Sequence, residues 1–251
     1  MRPAAVADVG NTRIKWGLCS AAGVAEMVSL PADDTGAWQH QLRAWKLTGP
    51  LAWAVSGVQP QCRDSLVEWL RSQGSRVLLL DTWTQLPLRV LVERPERVGI
   101  DRLLSAVAAR SRVRPGSGAL IVDAGTAITV NWVDEAGAFR GGAILPGLRL
   151  MAGALHEHTA LLPLVDPATC GTPAFPGTTT RAAIEAGVFW AAAGGVQALL
   201  HQFDAASPAR PWELFLTGGD GGLLAPALAR SHPFWPEMTL EGIRLAAEAQ
   251  P

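Results

Sequence analysis

Apolar residues in this chain come in short runs that stop at an aspartate. Residues 4–7 form such a run, closed by Asp8-Val9-Gly10-Asn11-Thr12, after which Ile14-Lys15-Trp16-Gly17-Leu18 alternates as a second strand does. The pattern recurs: Ala119-Leu120-Ile121-Val122 stops at Asp123-Ala124-Gly125-Thr126, and Ile128-Thr129-Val130-Asn131-Trp132 follows. Each copy predicts strand, tight turn, strand. Further strands are expected at 51–55, 77–80 and 213–216, and helices at 61–72, 102–112 and 180–203. Strands alternating with helices define an α/β class.

The two aspartates lie 115 positions apart in a chain of 251 residues, so each repeat opens one half. Arg114-Pro115-Gly116-Ser117-Gly118 has the composition of a junction, which predicts two related domains, 1–114 and 115–251. A content of 49% hydrophobic and 17% charged residues is enough for a substantial core and excludes a disordered chain. The formal net charge of −1 gives no general attraction to nucleic acid or anionic lipid, so the expected partner is a small molecule. Three scattered cysteines, Cys19, Cys62 and Cys170, fit neither a disulfide framework nor paired zinc ligands. With no basic leader and no run of about 18 apolar residues, the expectation is a soluble cytoplasmic protein with no membrane partner.

A turn that meets a polyphosphate needs glycine for close backbone approach, amide or hydroxyl donors, and a carboxylate for the accompanying magnesium. Asp8, Gly10, Asn11 and Thr12 supply these, and Lys15 adds a positive charge on the outgoing strand. Either turn alone is ordinary hairpin chemistry. Two copies, each opening a half, favour a pair of phosphate hairpins that hold one nucleotide. Gly218-Gly219-Asp220-Gly221-Gly222, between a strand and Leu223-Leu224, reads either as a place for adenine to lie against backbone or as a flexible loop. Walker and Rossmann glycine patterns are absent.

Taken in order, Asp8-x-Gly-Asn-Thr-x-x-Lys15, Gly99-Ile-Asp101-Arg102, Asp123-x-Gly-Thr-Ala127, Gly141-Gly142-x-Ile-x-Pro-Gly147, Thr180-x-x-Ala183-Ile-x-x-Gly187 and Thr217-Gly218-Gly219 resemble the signature of type III pantothenate kinases, a family that includes Bvg accessory factors. The resemblance implies an actin/hexokinase/Hsp70-like (ASKHA) fold of two ribonuclease-H-like domains with ATP between them, and a homodimer. It implies ATP contacts at Asp8, Val9, Gly10, Asn11, Thr12, Arg13, Ile14, Lys15 and Thr126, with Mg2+ beside the phosphates. Asp123 matches the ligand of a monovalent cation, K+ or NH4+. Gly99, Ile100, Asp101, Arg102 and Thr180 match pantothenate-binding positions, and Asp101 matches the catalytic base. Transfer to a primary hydroxyl needs such a carboxylate to align the hydroxyl and take its proton.

Two positions depart from the pattern: Val92 stands where the family often has a tyrosine, and Thr179 where it commonly has an asparagine. Val92 motivates a second reading, a kinase of the same fold for another small alcohol. A third reading is a non-catalytic nucleotide-binding regulatory protein, against which stands the joint presence of Asp8, Asp101 and Asp123. His156-Glu157-His158 carries two histidines that do not share a helix face, and reads as solvated helix or dimer contact rather than a metal site. The ten tryptophans are scattered and read as core and interface filler, and Arg89, Arg94, Arg97 and Arg102, interleaved with Glu93 and Glu96, as a solvated, substrate-side segment.

Overall fold

The computed structural model describes residues 1–10, 13–169, 171–206, 211–228, 230 and 232–250. In chain order its elements are β1 (Ala5–Val9), β2 (Ile14–Cys19), β3 (Val24–Leu30), α1 (Thr35–Ala44), β4 (Ala52–Gly57), α2 (Pro60–Ser72), β5 (Arg76–Leu79), β6 (Arg89–Val90) and α3 (Ile100–Arg112). They continue with β7 (Gly118–Ala124), β8 (Ala127–Val133), β9 (Ala138–Pro146), α4 (Leu148–Glu157), α5 (Thr180–Ala206), β10 (Trp212–Thr217), α6 (Gly221–Leu224) and α7 (Met238–Glu248).

The chain forms two compact units. The first gathers Met1–Arg112, Gly137–Phe139 and the residues from Glu237 onward; the second spans Val113–Ala136 and Arg140–Pro236. A single cut at residue 114 would leave α7 with the second half. Instead its apolar side, Leu240, Ile243, Ala246 and Ala247, is buried within the first unit, and Gly242 lets the α7 backbone come up against the Leu104 carbonyl of α3. That contact leaves no room for a side chain, which makes glycine the residue for a helix crossing this close.

The first unit's sheet has the order β3-β2-β1-β4-β5, with β1, β2 and β3 antiparallel and β4 and β5 parallel to β1. Its core is rich in aromatic rings: Trp16 and Trp53 meet edge to face at 4.9 Å, Trp38 and Trp69 at 5.3 Å, above Leu66 and Leu70 of α2. Scattered tryptophans thus become one cluster, because alternation along β2 and β4 and the helical repeat of α2 turn them to the same side. Both flanking helices are capped locally, with Asp34 accepting the Ala37 N–H at 2.9 Å and Gln59 the Cys62 N–H at 2.7 Å ahead of Pro60.

The second unit repeats the plan: β9-β8-β7-β10, with β7 antiparallel to β8 and parallel to β10. The first residues of β9, Ala138 and Phe139, pair with β6 and belong to the first unit. Among the described residues one helix, α5, is long and apolar enough to cross a membrane by length and composition, although Gln197 and His201 interrupt its apolar sequence. Here Ile184, Val188, Phe189, Ala192, Val196 and Leu200 of α5 join Leu120, Val122, Ile128 and Leu214 in the second core.

Strand boundaries correct one expectation. Asp8 and Asp123 do not begin their turns; each is the penultimate residue of its strand. The parallel neighbour extends the ladder that far, pairing Asp8 with Ser56 of β4 and Asp123 with Thr217 of β10. Both carboxylates therefore stand on fixed backbone. Likewise α3 starts at Ile100, two residues before the expected start, which puts Asp101 in its first turn.

Candidate active site

In the first unit, β1 and β2 carry Asp8 and Lys15 directly opposite each other across the antiparallel ladder, both half-buried. The turn beyond them is closed by the Gly10 N–H donating to the Arg13 carbonyl at 3.0 Å. Asn11 and Thr12, expected phosphate contacts, lie outside the described residues. Val9 and Ile14 have fully buried side chains, so these two positions offer a ligand only their backbone, while Arg13 is exposed. Gly57 of β4 sits so close to Val9 that a Cβ there would stand 2.5 Å from the Val9 Cβ, and this tight approach seats the end of β1. Nothing in the local sequence pattern announces Gly57; its role appears only once β1 and β4 are paired.

Asp101 opens α3 from the same unit. Its Oδ1 accepts the Arg102 N–H at 2.9 Å, and Gly99, one residue before the helix, leaves the space that this carboxylate fills. Burial raises the Asp101 pKa above the ordinary carboxylate value; the Arg102 N–H and charge and the positive charge of Lys15 pull it back. Lys15 therefore acts electrostatically on Asp101 as well as lying opposite Asp8. The result is a half-buried carboxylate, more basic than a free aspartate, held in the field of the first hairpin's lysine. Ile100 is buried, and Arg102 stacks its guanidinium 5.7 Å from the centre of the buried Phe139 ring, a partner that the sequence pattern did not suggest. Val92 is half-buried.

In the second unit, Asp123 is half-buried at the end of β7, opposite Thr129 of β8. Gly218, with φ of +92°, follows β10 and passes so close that a Cβ there would lie 2.5 Å from Asp123 Oδ1. The Asp220 N–H donates to the Ala124 carbonyl at 2.9 Å, so the glycine-rich segment is bonded to the second hairpin. Thr126 is exposed at the tip, and its carbonyl accepts the Gly147 N–H at 3.1 Å, joining the start of α4 to the same turn. The structure thus brings Asp123, Thr126, Gly147 and Gly218–Asp220 together. Thr180 is exposed at the first turn of α5, beside Thr179, whose hydroxyl caps the helix by accepting the Ala182 N–H at 3.2 Å.

The two hairpins are built alike in detail. Each aspartate has a buried hydroxyl residue beside it on the parallel strand, Ser56 or Thr217, and an antiparallel partner on the outgoing strand, Lys15 or Thr129. Repetition at this level marks a duplicated structural element rather than two chance turns. Among the described residues no group of three or more His, Cys, Asp or Glu side chains gathers to hold a metal by itself, and His156 places its Nδ1 against the Leu162 carbonyl at 2.8 Å.

The family model described as type III pantothenate kinase matches residues 5–202, which spans both hairpins, the Asp101 helix start and most of α5. The chain belongs to the type III pantothenate kinase family. It is 32% identical over 248 residues to the type III pantothenate kinase of Nitrosococcus oceani, covering 96% of this chain and 92% of that one. Among solved structures it is similar to a conserved Baf family protein from Campylobacter jejuni, with a TM-score of 0.61 and 18% identity over 97% of both chains. It is also similar to a glucokinase from an Antarctic psychrotroph, with a TM-score of 0.54 and 12% identity over the whole of both chains. At such identities the structural likeness speaks to fold alone: the chain has the actin/hexokinase-like ASKHA architecture, which its repeated sheet order fits.

Proposed function

We propose that the chain transfers the γ-phosphoryl group of ATP to the primary hydroxyl of pantothenate, giving ADP and 4′-phosphopantothenate at the entry to coenzyme A biosynthesis. Membership of the family supports the reaction class, and the observation that carries the residue-level reading is Asp101, a half-buried carboxylate of raised pKa in the field of Lys15. The hydroxyl oxygen bonds to the γ-phosphorus as the bond to the β,γ-bridging oxygen breaks, and the hydroxyl proton passes to Asp101. Because phosphoryl transition states are loose, Asp101 contributes chiefly by aligning the hydroxyl and takes the proton late. Lys15 and the backbone of the 8–15 hairpin hold phosphate oxygens, and Thr126 of the second hairpin is a further ATP contact. Gly99 to Arg102 and Thr180 bind pantothenate, with Arg102 pairing to its carboxylate.

The residues present fit the expected ions. Mg2+ takes one or two carboxylates together with substrate phosphates, so a single strand-borne carboxylate, Asp8, suffices, and the ion when bound neutralises charge on the phosphoryl oxygens. Asp123, among the backbone carbonyls of a tight turn, offers the hard oxygen donors that K+ or NH4+ takes. A cytoplasmic homodimer without nucleic-acid or membrane partner completes the reading. It is supported by the net charge of −1 and by α5, which is apolar on every side yet leaves Trp190 44% and nearby Phe175 84% exposed around a cavity of about 620 Å³.

A panel of small primary alcohols, scored by ADP release, tests the acceptor. Pantothenate is expected to give the highest kcat/KM. Preference for a different alcohol would transfer the reading to the same-fold alternative that Val92 suggests.

A further inference from the structure

We propose that Arg149 is a positioning residue for the nucleotide, bracing the glycine-rich loop after β10 against the second phosphate hairpin; the inference rests on the nucleotide site proposed above. Arg149 is the second residue of α4. The residue two before it, Gly147, packs on the Gly125 and Thr126 carbonyls so closely that no side chain fits there, so α4 starts on the hairpin itself. From this base the guanidinium reaches two carboxylates. Its Nη1 donates to Asp220 Oδ1 at 3.0 Å and Oδ2 at 3.3 Å, and its Nε lies 3.2 Å from Asp166 Oδ1.

Asp220 is the pivot. Only 6% exposed, it gives its N–H to the Ala124 carbonyl, and its own carbonyl accepts the Leu223 and Leu224 N–H groups at 3.1 and 3.2 Å. One residue therefore ties the glycine-rich loop to the end of β7 through its backbone and to α4 through its side chain. A buried carboxylate is costly unless paired, and Arg149 is the cation that the structure provides for it. Removing the guanidinium frees the loop from α4 and leaves negative charge beside a site meant for a polyphosphate. Both effects weaken nucleotide binding, and neither removes a group assigned to the acceptor.

The test is calorimetric titration of Mg-ADP into wild type, Arg149→Ala and Arg149→Lys, with separate KM values for ATP and pantothenate. We expect Arg149→Ala to weaken ADP and raise the ATP KM by roughly tenfold while the pantothenate KM stays within about twofold, and Arg149→Lys to recover part of the loss. Unchanged ADP affinity in Arg149→Ala, or equal rises in both KM values, overturns the proposal. Should Arg149→Ala not fold, Arg149→Lys decides: weaker ADP binding with an unchanged pantothenate KM supports the brace, and wild-type ADP binding overturns it. ADP titration needs no acceptor. A wild-type protein that binds ADP but leaves pantothenate untouched, with weaker binding in Arg149→Ala, would end the proposed acceptor and keep the brace.

Discussion

Gly99 and Asp101 occupy one another's space: a Cβ on residue 99 would stand 2.5 Å from Asp101 Oδ1. The carboxylate is therefore placed by the missing side chain before the helix as much as by the Arg102 N–H that it accepts. Gly99→Ala is expected to rotate the carboxylate out of line with the acceptor hydroxyl. A displacement of about 1 Å costs roughly a hundredfold in kcat, so steady-state kinetics of Gly99→Ala should show that loss with the ATP KM little changed.

The same carboxylate sets a pH dependence. Its pKa is raised by burial, so kcat/KM for pantothenate is expected to fall on acidification at a higher pH than a free aspartate would produce. Stability carries the opposite sign. Between the unfolded pKa and the raised folded pKa, the folded state binds more protons, so Asp101 lowers stability as pH rises through that window. Asp101→Asn should thus lose about 10²–10⁴ in kcat while melting at the same temperature as wild type or higher at pH 7. A melting temperature well below wild type would show that the carboxylate holds the fold together instead.

A separate prediction concerns α7. Arg244 pairs with Glu241 at 2.7 Å and with Glu248 at 2.7 Å, and Glu241 also accepts the Val24 N–H, so a nearly buried guanidinium neutralises a nearly buried carboxylate and links α7 to β3. Arg244→Met strands Glu241 and should cost about 3–5 kcal/mol in urea unfolding. A loss below about 1 kcal/mol would mean that water reaches the pair freely.

Cys19 lies beside this network, and burial pushes its thiol pKa up to about 12. At pH 8 on the order of one such thiol in ten thousand is ionised, so native protein treated with iodoacetamide should leave Cys19 unmodified by peptide mass mapping, and unfolded protein should not. Rapid native labelling of Cys19 would contradict the raised pKa of this half-buried thiol.

The repeated hairpins were legible because an apolar run ending in Asp-x-Gly has a local signature, and the sheets confirm it down to the Ser56 and Thr217 positions beside each aspartate. The 180–203 helix was legible from its alanine content and extends only to Ala206. Other features had no local signal. Glycines 141 and 142 sit inside β9, where the bare backbone of Gly142 packs against the Val130 carbonyl, and such residues do not read as a strand. The place of α7 beside α3 depends on Gly242 meeting Leu104, well over a hundred residues away. Arg149 and Asp220 are 71 positions apart and meet only after β7 and β10 have paired. Motif spacing nominates the candidate ligand-binding groups; what holds those groups in place is set by tertiary contacts.

Phosphoryl transfer to pantothenate through Asp101 is read directly by ³¹P NMR of purified protein with ATP, Mg2+, K+ and pantothenate, run in parallel with Asp101→Asn. ADP and one new phosphomonoester at the primary hydroxyl of pantothenate are expected, formed by wild type and not by the variant. A wild-type protein that binds ATP yet yields no phosphomonoester, or an Asp101→Asn variant that yields it at the wild-type rate, would contradict transfer through Asp101.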